Sequence, residues 1–252
     1  MKPVIGILIA VRTGSTRLPK KALEKIEDQT LIEHIIDRMK TCRYADKIVL
    51  CTTRKKEDKI LVKIAKKKKI YYFCGDEENV IKRFLDAAKK FKLDIIVRVT
   101  GDNPLTCPKF IDKAIEYHIK NRCDYTSTKK LPQGTKGEVI SISALKKLSR
   151  LIKNPKDYIT WYFEENSKYF KLCYIFPGRG LIRPNYRLTV DYKEDLDLIR
   201  EIYKRLYKKG EIIDLKEVVK LLDNNPKLVE INRKIKIKDD KYKQKLKTEV
   251  LE

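Results

Sequence analysis

Three short segments hold the residues best suited to chemistry. The first is Arg12-Thr13-Gly14-Ser15-Thr16-Arg17-Leu18-Pro19-Lys20-Lys21. Gly14 allows a phosphate to come close to the backbone, and exposed N–H groups with Arg12, Arg17 and Lys21 can offset its charge. The spacing is not that of a P-loop, and no G-x-G-x-x-G dinucleotide fingerprint occurs. A basic surface turn would have the same composition. The second segment is Arg98-Val99-Thr100-Gly101-Asp102-Asn103-Pro104-Leu105. An acid just beyond a strand, as Asp102 is here, can hold Mg²⁺ against substrate phosphates. It can also cap its own turn, which T-G-D-N-P suits. The third is Leu188-Thr189-Val190-Asp191, again an acid at a strand end before a helix, where a cap or turn role is the alternative. Two such acids with a basic glycine-containing loop compose a metal–phosphate site.

These segments need a frame that brings strand ends together. Residues 4–11 read as a buried strand, and Leu31, Ile32, Ile35, Ile36 and Met39 as a helical stripe. Further strands are predicted at 47–51, 70–74 and 94–100. Between them fall a helix over 57–67 with Ile60, Leu61 and Ile64 inward, and another marked by Val80, Ile81, Phe84, Leu85, Ala88 and Phe91. Pro108 opens the next helix. Alternation of this kind implies an α/β fold, Rossmann-like, with a mostly parallel sheet sandwiched by helices on both faces. Ligands bind such sheets at the carboxyl edge, where the 12–21 loop would lie.

The pattern then loosens. Residues 124–143 predict short strands around a Pro132-Gln133-Gly134 loop, and a helix starts after Asn154-Pro155 with Asn154 as N-cap. Strands are expected at 171–176 and 187–190, with a turn-rich stretch over 177–184. Leu196, Ile199, Ile202, Tyr203 and Leu206 line a helix, and Asp214 with Glu217 opens another around Val218, Leu221 and Leu222. After Pro226 the chain becomes charged and irregular. We therefore expect one domain over 1–228 and a basic tail over 229–252. Residues 234–247 suit a solvated strand or tail, and less well a polyanion-binding arm.

Composition narrows the function classes. A 252-residue chain buries enough surface to need no disulfide or metal for its core. Its formal charge of +24 attracts polyanions. The lysines are spread along the chain, however, so a lysine-rich surface or a phosphate-bearing substrate accounts for them without nucleic acid. The six cysteines form no C-x-x-C pair and only two histidines occur, which argues against zinc. They are expected to be half-buried thiols in a reducing cytosol. The longest apolar run, 4–11, is far short of the ~20 residues that span a bilayer. It is followed by Arg12 and no cleavage site, so a cytoplasmic protein with no membrane partner is expected.

The stretch 11–23, with R-T-G-S-T-R-L-P-K-K-A-L, resembles the opening motif of the CMP-sugar synthetases. These include the acylneuraminate and deoxy-octulosonate cytidylyltransferases, and the subgroup named after the spore coat protein SpsF is the most similar. E-N-V-I-K-R at 78–83, R-V-T-G-D-N-P-L at 98–105 and L-T-V-D-Y-K-E-D-L-D-L-I-R-E-I-Y at 188–203 follow in family order. The resemblance implies the nucleotide-diphospho-sugar transferase type of fold, with a β-containing dimerisation excursion over about 124–185 and a homodimer. It implies CTP and a sugar or sugar acid as substrates, CMP-sugar and pyrophosphate as products, and Mg²⁺ as cofactor. Ala10, Arg12, Gly14, Ser15, Lys21, Arg83 and Asp102 would contact the nucleotide. Arg12, Lys21 and Asp102 would act in catalysis, Asp102 and Asp191 would bind the metal, and Lys136 and Glu138 would face the acceptor.

Two departures fall on the acceptor side. Where the subgroup often reads P-x-G-L-D-V-E, this chain has Pro132-Gln133-Gly134-Thr135-Lys136-Gly137-Glu138, so Lys136 replaces an acid. The usual E-H-V-T-P is Asp157-Tyr158-Ile159-Thr160-Trp161, without its histidine. A lysine facing the acceptor would suit a carboxylate or phosphate on it. Other readings are a glycosyltransferase, which the absence of D-x-D around Asp102 disfavours, and a cytidylyltransferase for a non-sugar alcohol phosphate. A basic nucleic-acid-binding protein and an inactive partner subunit of the same fold complete the alternatives.

Overall fold

The computed structural model describes residues 2–152 and 159–235. Four parallel strands form its first half: β1 (Ile5–Ala10), β4 (Lys47–Thr53), β5 (Tyr71–Gly75) and β6 (Ile95–Thr100). A small hairpin of β2 (Lys25–Ile26) and β3 (Gln29–Thr30) lies between the first two in sequence. It was not expected from the sequence. The strands β7 (Tyr125–Thr128), β8 (Glu138–Ser141) and β9 (Leu172–Ile175) complete a seven-stranded sheet in the order β5-β4-β1-β6-β8-β7-β9. Only β8 runs antiparallel to its neighbours. The strands of the 124–185 segment therefore extend the main sheet rather than standing apart from it.

Alternation along β1 and β6 explains how the sheet is covered. Ile5, Ile7 and Ile9, with Ile95, Val97 and Val99, enter a core shared with α1 (Leu31–Met39), α2 (Lys59–Lys67), α4 (Pro108–Lys120), α7 (Lys193–Leu206) and α8 (Leu215–Asn224). Leu8 and Ile96 point the other way, toward α3 (Val80–Phe91), α5 (Ile142–Leu151) and α6 (Ile159–Glu165). This is the period-two pattern of a sheet buried on both faces.

Several expectations need correction. Ile60 is 40% exposed, because the phase of α2 turns Ala65 inward with the expected Leu61 and Ile64 and leaves Ile60 outside. The segment 187–190 is not a strand. It forms one isolated bridge, Gln133 with Arg187, and Leu188 and Val190 donate their amides to the carbonyls of Gln133 and Asp102. Helix α5 follows β8 directly and was missed. The helix start expected at Asn154 lies outside the described residues. Beyond 228, the short helix α9 (Pro226–Glu230) leads to Asn232, which is buried against Arg187 and Asp195, so the first residues of the expected tail pack on the body.

The cysteines also depart from expectation. Cys123 and Cys173 form a disulfide, with Cα atoms 6.1 Å apart. Parallel pairing of β7 with β9 sets Thr126 against Cys173 and so brings the two together across 50 residues of sequence, a proximity that no local spacing announces. Cys51 and Cys107 are buried thiols, and Cys42 and Cys74 half-buried ones.

Candidate active site

All four parallel strands end on one edge of the sheet, and the three segments singled out above converge there. The 12–21 loop leaves β1 and is closed through Thr13, whose carbonyl accepts from the amides of Ser15 (2.9 Å) and Lys20 (3.1 Å). Nothing lies within 4 Å of the point where a Cβ on Gly14 would sit, so the backbone there is open to a ligand. Lys20 takes a left-handed conformation (φ 54°), which a lysine adopts at some cost, and it turns the chain back toward the sheet at Lys21.

Lys21 is the hub. Its Nζ donates to Asp102 Oδ2 (2.9 Å), Asp191 Oδ1 (2.9 Å) and the Val190 carbonyl (2.7 Å). One ammonium thus sits between two carboxylates that are 89 residues apart in the chain. The backbone fixes the same pairing, since Val190 N donates to Asp102 O at 2.8 Å. Gly101 allows the Asp102 turn to come this close: a Cβ there would fall 2.6 Å from the Val11 side chain. Arg17 also binds Asp191 and lies over the Tyr192 ring. Burial alone would raise the Asp191 pKa, but Lys21 and Arg17 outweigh it and hold the carboxyl down at about 2.

Sequence reasoning missed the bracket behind Asp191. Arg187 grips the fully buried Asp195 with two bonds (2.8 and 3.0 Å) and reaches Asp191 Oδ2 at 3.1 Å. Asp195 in turn accepts from the Asp191 and Tyr192 amides at the start of α7 and from Asn232 Nδ2. An acid three residues after the helix start is a capping signal, and it could have been read as such in D-Y-K-E-D. Its partners Arg187 and Asn232 could not, because they meet only in the fold.

The other expected site residues are placed as follows. Ala10 ends β1, with its carbonyl accepting from Gly101 N at 2.8 Å. Arg12 reaches across to the Glu77 carbonyl (3.3 Å) and so lines the same edge. Arg83 is buried and donates to the carbonyls of Asp76 (2.7 Å) and Glu77 (2.9 Å). It therefore holds the loop between β5 and α3. Lys136 is half-buried two residues before β8. Glu138 is 4% exposed, and its oxygens are engaged by Arg98 (2.6 Å), Tyr125 (3.2 Å) and Thr160. Burial would raise its pKa, but Arg98 and Lys136 lower it, so it stays charged. Glu138 thus ties β6, β7, β8 and α6 together.

Among the described residues, no cluster of three or more His, Cys, Asp or Glu side chains is set to enclose a metal. Two carboxylates around one cation suit a different kind of ion. Mg²⁺ binds through one or two protein carboxylates and fills its remaining positions with phosphate oxygens and water. The ammonium of Lys21 marks the place where positive charge is accommodated between Asp102 and Asp191, so the residues present fit such an ion.

Residues 6–235 match the family model described as cytidylyltransferase. The chain belongs to the cytidylyltransferase family. It is 31% identical over 229 residues to the spore coat polysaccharide biosynthesis protein SpsF of Bacillus subtilis, covering 88% of this chain and 95% of that one. A protein of Methanocaldococcus jannaschii is 38% identical over 93% of this chain and 96% of its own length. Among solved structures, a cytidylyltransferase from Leptospira borgpetersenii superposes with a TM-score of 0.85 at 30% identity, covering 94% and 99% of the two chains. A CMP:2-keto-3-deoxy-manno-octonic acid synthetase shares the fold at a TM-score of 0.63 and 14% identity over 80% of this chain and 99% of that one. This cytidylyltransferase is accordingly an enzyme of CTP-dependent nucleotidyl transfer. No helix among its described residues is long and apolar enough to cross a membrane.

Proposed function

We propose that this cytidylyltransferase joins CMP to a hydroxyl of a sugar or sugar acid and releases pyrophosphate, with Mg²⁺ held by Asp102 and Asp191. The observation that carries the proposal is the convergence of Lys21, Asp102 and Asp191 at the carboxyl edge, beside the open backbone at Gly14. CTP would lie across that edge, with Arg12, Arg17 and Lys21 against its phosphates and Ser15 within reach of them. The acceptor oxygen attacks the α-phosphorus in line, the bond to the β-phosphate oxygen breaks, and pyrophosphate leaves, the hydroxyl proton passing to the pyrophosphate or to solvent. When bound, Mg²⁺ supplies charge neutralisation on the phosphates and can lower the pKa of the attacking hydroxyl. The chain's own contribution is positioning and fixed positive charge, which dominate phosphoryl transfer.

A carboxylate or phosphate on the acceptor is favoured by Lys136, which stands where subgroup members often carry an acid. Similarity to SpsF supports a role in polysaccharide biosynthesis. We extend the same reading to a cytoplasmic homodimer, which light scattering would report as twice the 29.7 kDa chain. Pyrophosphate release measured with each nucleoside triphosphate against a panel of sugars and sugar acids tests the function. Activity confined to CTP with one acidic sugar supports it. Activity only with polyol or other alcohol phosphates would replace the sugar by that class.

A further inference from the structure

Asp58 stands at the junction of β4 and α2, outside every motif discussed so far. It is the residue before the first turn of α2, where an aspartate ordinarily caps its own helix. Here it makes no such cap. Instead its Oδ1 accepts from both the amide and the hydroxyl of Thr13, each at 2.7 Å, and its Oδ2 accepts from the Thr53 hydroxyl. The carboxylate is 1% exposed. Burial would raise its pKa, but the Thr53 and Thr13 donors lower it, so it is an anion held by hydroxyl and amide groups. An anion buried this close to a phosphate-binding loop opposes phosphate binding by simple repulsion. Its presence calls for a compensating task.

That task is visible in what Thr13 does. Thr13 closes the loop through its carbonyl, which takes the amides of both Ser15 and Lys20. Asp58 grips the opposite side of the same residue. The loop is thereby pinned at one residue from two directions. The open backbone at Gly14 follows it directly, and Lys21 follows the far anchor at Lys20. We propose that Asp58 is a positioning residue for the nucleotide: acting through Thr13, it sets where the loop presents its amides and Lys21 to the triphosphate. The proposal rests on the CTP-binding role given above to the 12–21 loop.

The expected signature is a selective loss of nucleotide affinity. CTP binding is measured by calorimetry on wild type, Asp58→Asn, Thr13→Val and the double variant, alongside KM for CTP and for the acceptor. Asp58→Asn and Thr13→Val should each weaken CTP by about tenfold, the factor carried by one charge-assisted hydrogen bond. KM for the acceptor should stay within about twofold, and the double variant should lose little more than either single one, because both act on one contact. Thr13→Ser, which keeps both donors, should restore wild-type affinity. If Asp58→Asn fails to fold, the Thr13 pair gives the same reading. Unchanged CTP affinity in both Thr13 variants, or equal rises in KM for both substrates, would overturn the proposal. A wild-type protein that binds no CTP would instead overturn the role of the loop itself.

Discussion

At the residue scale the site is a set of charges that neutralise one another. Lys21 serves two carboxylates at once, and this predicts two separable consequences of removing it. Lys21→Met should lower kcat by roughly 10²-fold or more, as the loss of a fixed cation at the transferring phosphate does. The same change leaves Asp102 and Asp191 without their shared ammonium. Mn²⁺ titrated into the nucleotide-free variant and followed by electron paramagnetic resonance should therefore bind more tightly than to wild type. Equal Mn²⁺ affinity in the two proteins would mean that the ammonium and the metal do not share a place. Asp102 was legible in the sequence because it follows strand β6, and Asp191 because the segment before it has a strand's composition, although it forms none. Asp58 was not, since K-K-E-D-K looks like the start of any charged helix, and the partners of Glu138 meet it only in the fold.

At the element scale, the loop around Gly134 is keyed to the segment carrying Asp191. Gly134 has φ +85°, and a Cβ there would lie 2.6 Å from Thr189 N and 2.8 Å from the Leu188 carbonyl carbon. Gly134→Ala should destabilise by more than about 1 kcal/mol in urea unfolding and also reduce turnover, because relief of the clash moves the loop away from Asp191. A variant as stable and active as wild type would contradict that coupling. Helix α4 is tied to β7 and β8 through His118, whose ring nitrogens meet Thr126 and Ser141 hydroxyls at 2.9 Å each. Burial lowers its pKa to about 4, against a weaker opposing pull from Asp124. A histidine neutral in the fold stabilises fully above its unfolded pKa of ~6.5, and that share is lost as pH falls from there toward 4, up to about 3 kcal/mol. His118→Gln should therefore lose less stability than wild type between pH 7 and 4.5, and parallel losses would count against it. The first four strands were readable because each is a short apolar run between helical stripes. The 187–190 segment has the same composition and is no strand. Its amides go to Gln133 and Asp102, which only the fold brings near.

At the scale of the whole molecule, a seven-stranded sheet brings three distant segments to one edge, and that convergence was expected from the alternation of elements alone. The order of its last three strands was not, nor was the bond between Cys123 and Cys173 that follows from it. Closing a loop of this length contributes about 4 kcal/mol on the chain-entropy model. Reduction, or Cys173→Ser, should lower the melting temperature on the order of 10 °C, and an unchanged melt would show that the bond carries no such share. The central claim is that Asp102 and Asp191 form one metal site for CTP-dependent transfer. The most direct test is pyrophosphate release from CTP, with Mg²⁺ and a panel of sugar acids, by wild type, Asp102→Asn and Asp191→Asn. Wild type should release pyrophosphate with CTP and one acidic sugar, and each variant should fall by roughly 10²-fold or more while remaining folded. Full activity in either variant, or no release by wild type with any pairing, would contradict it.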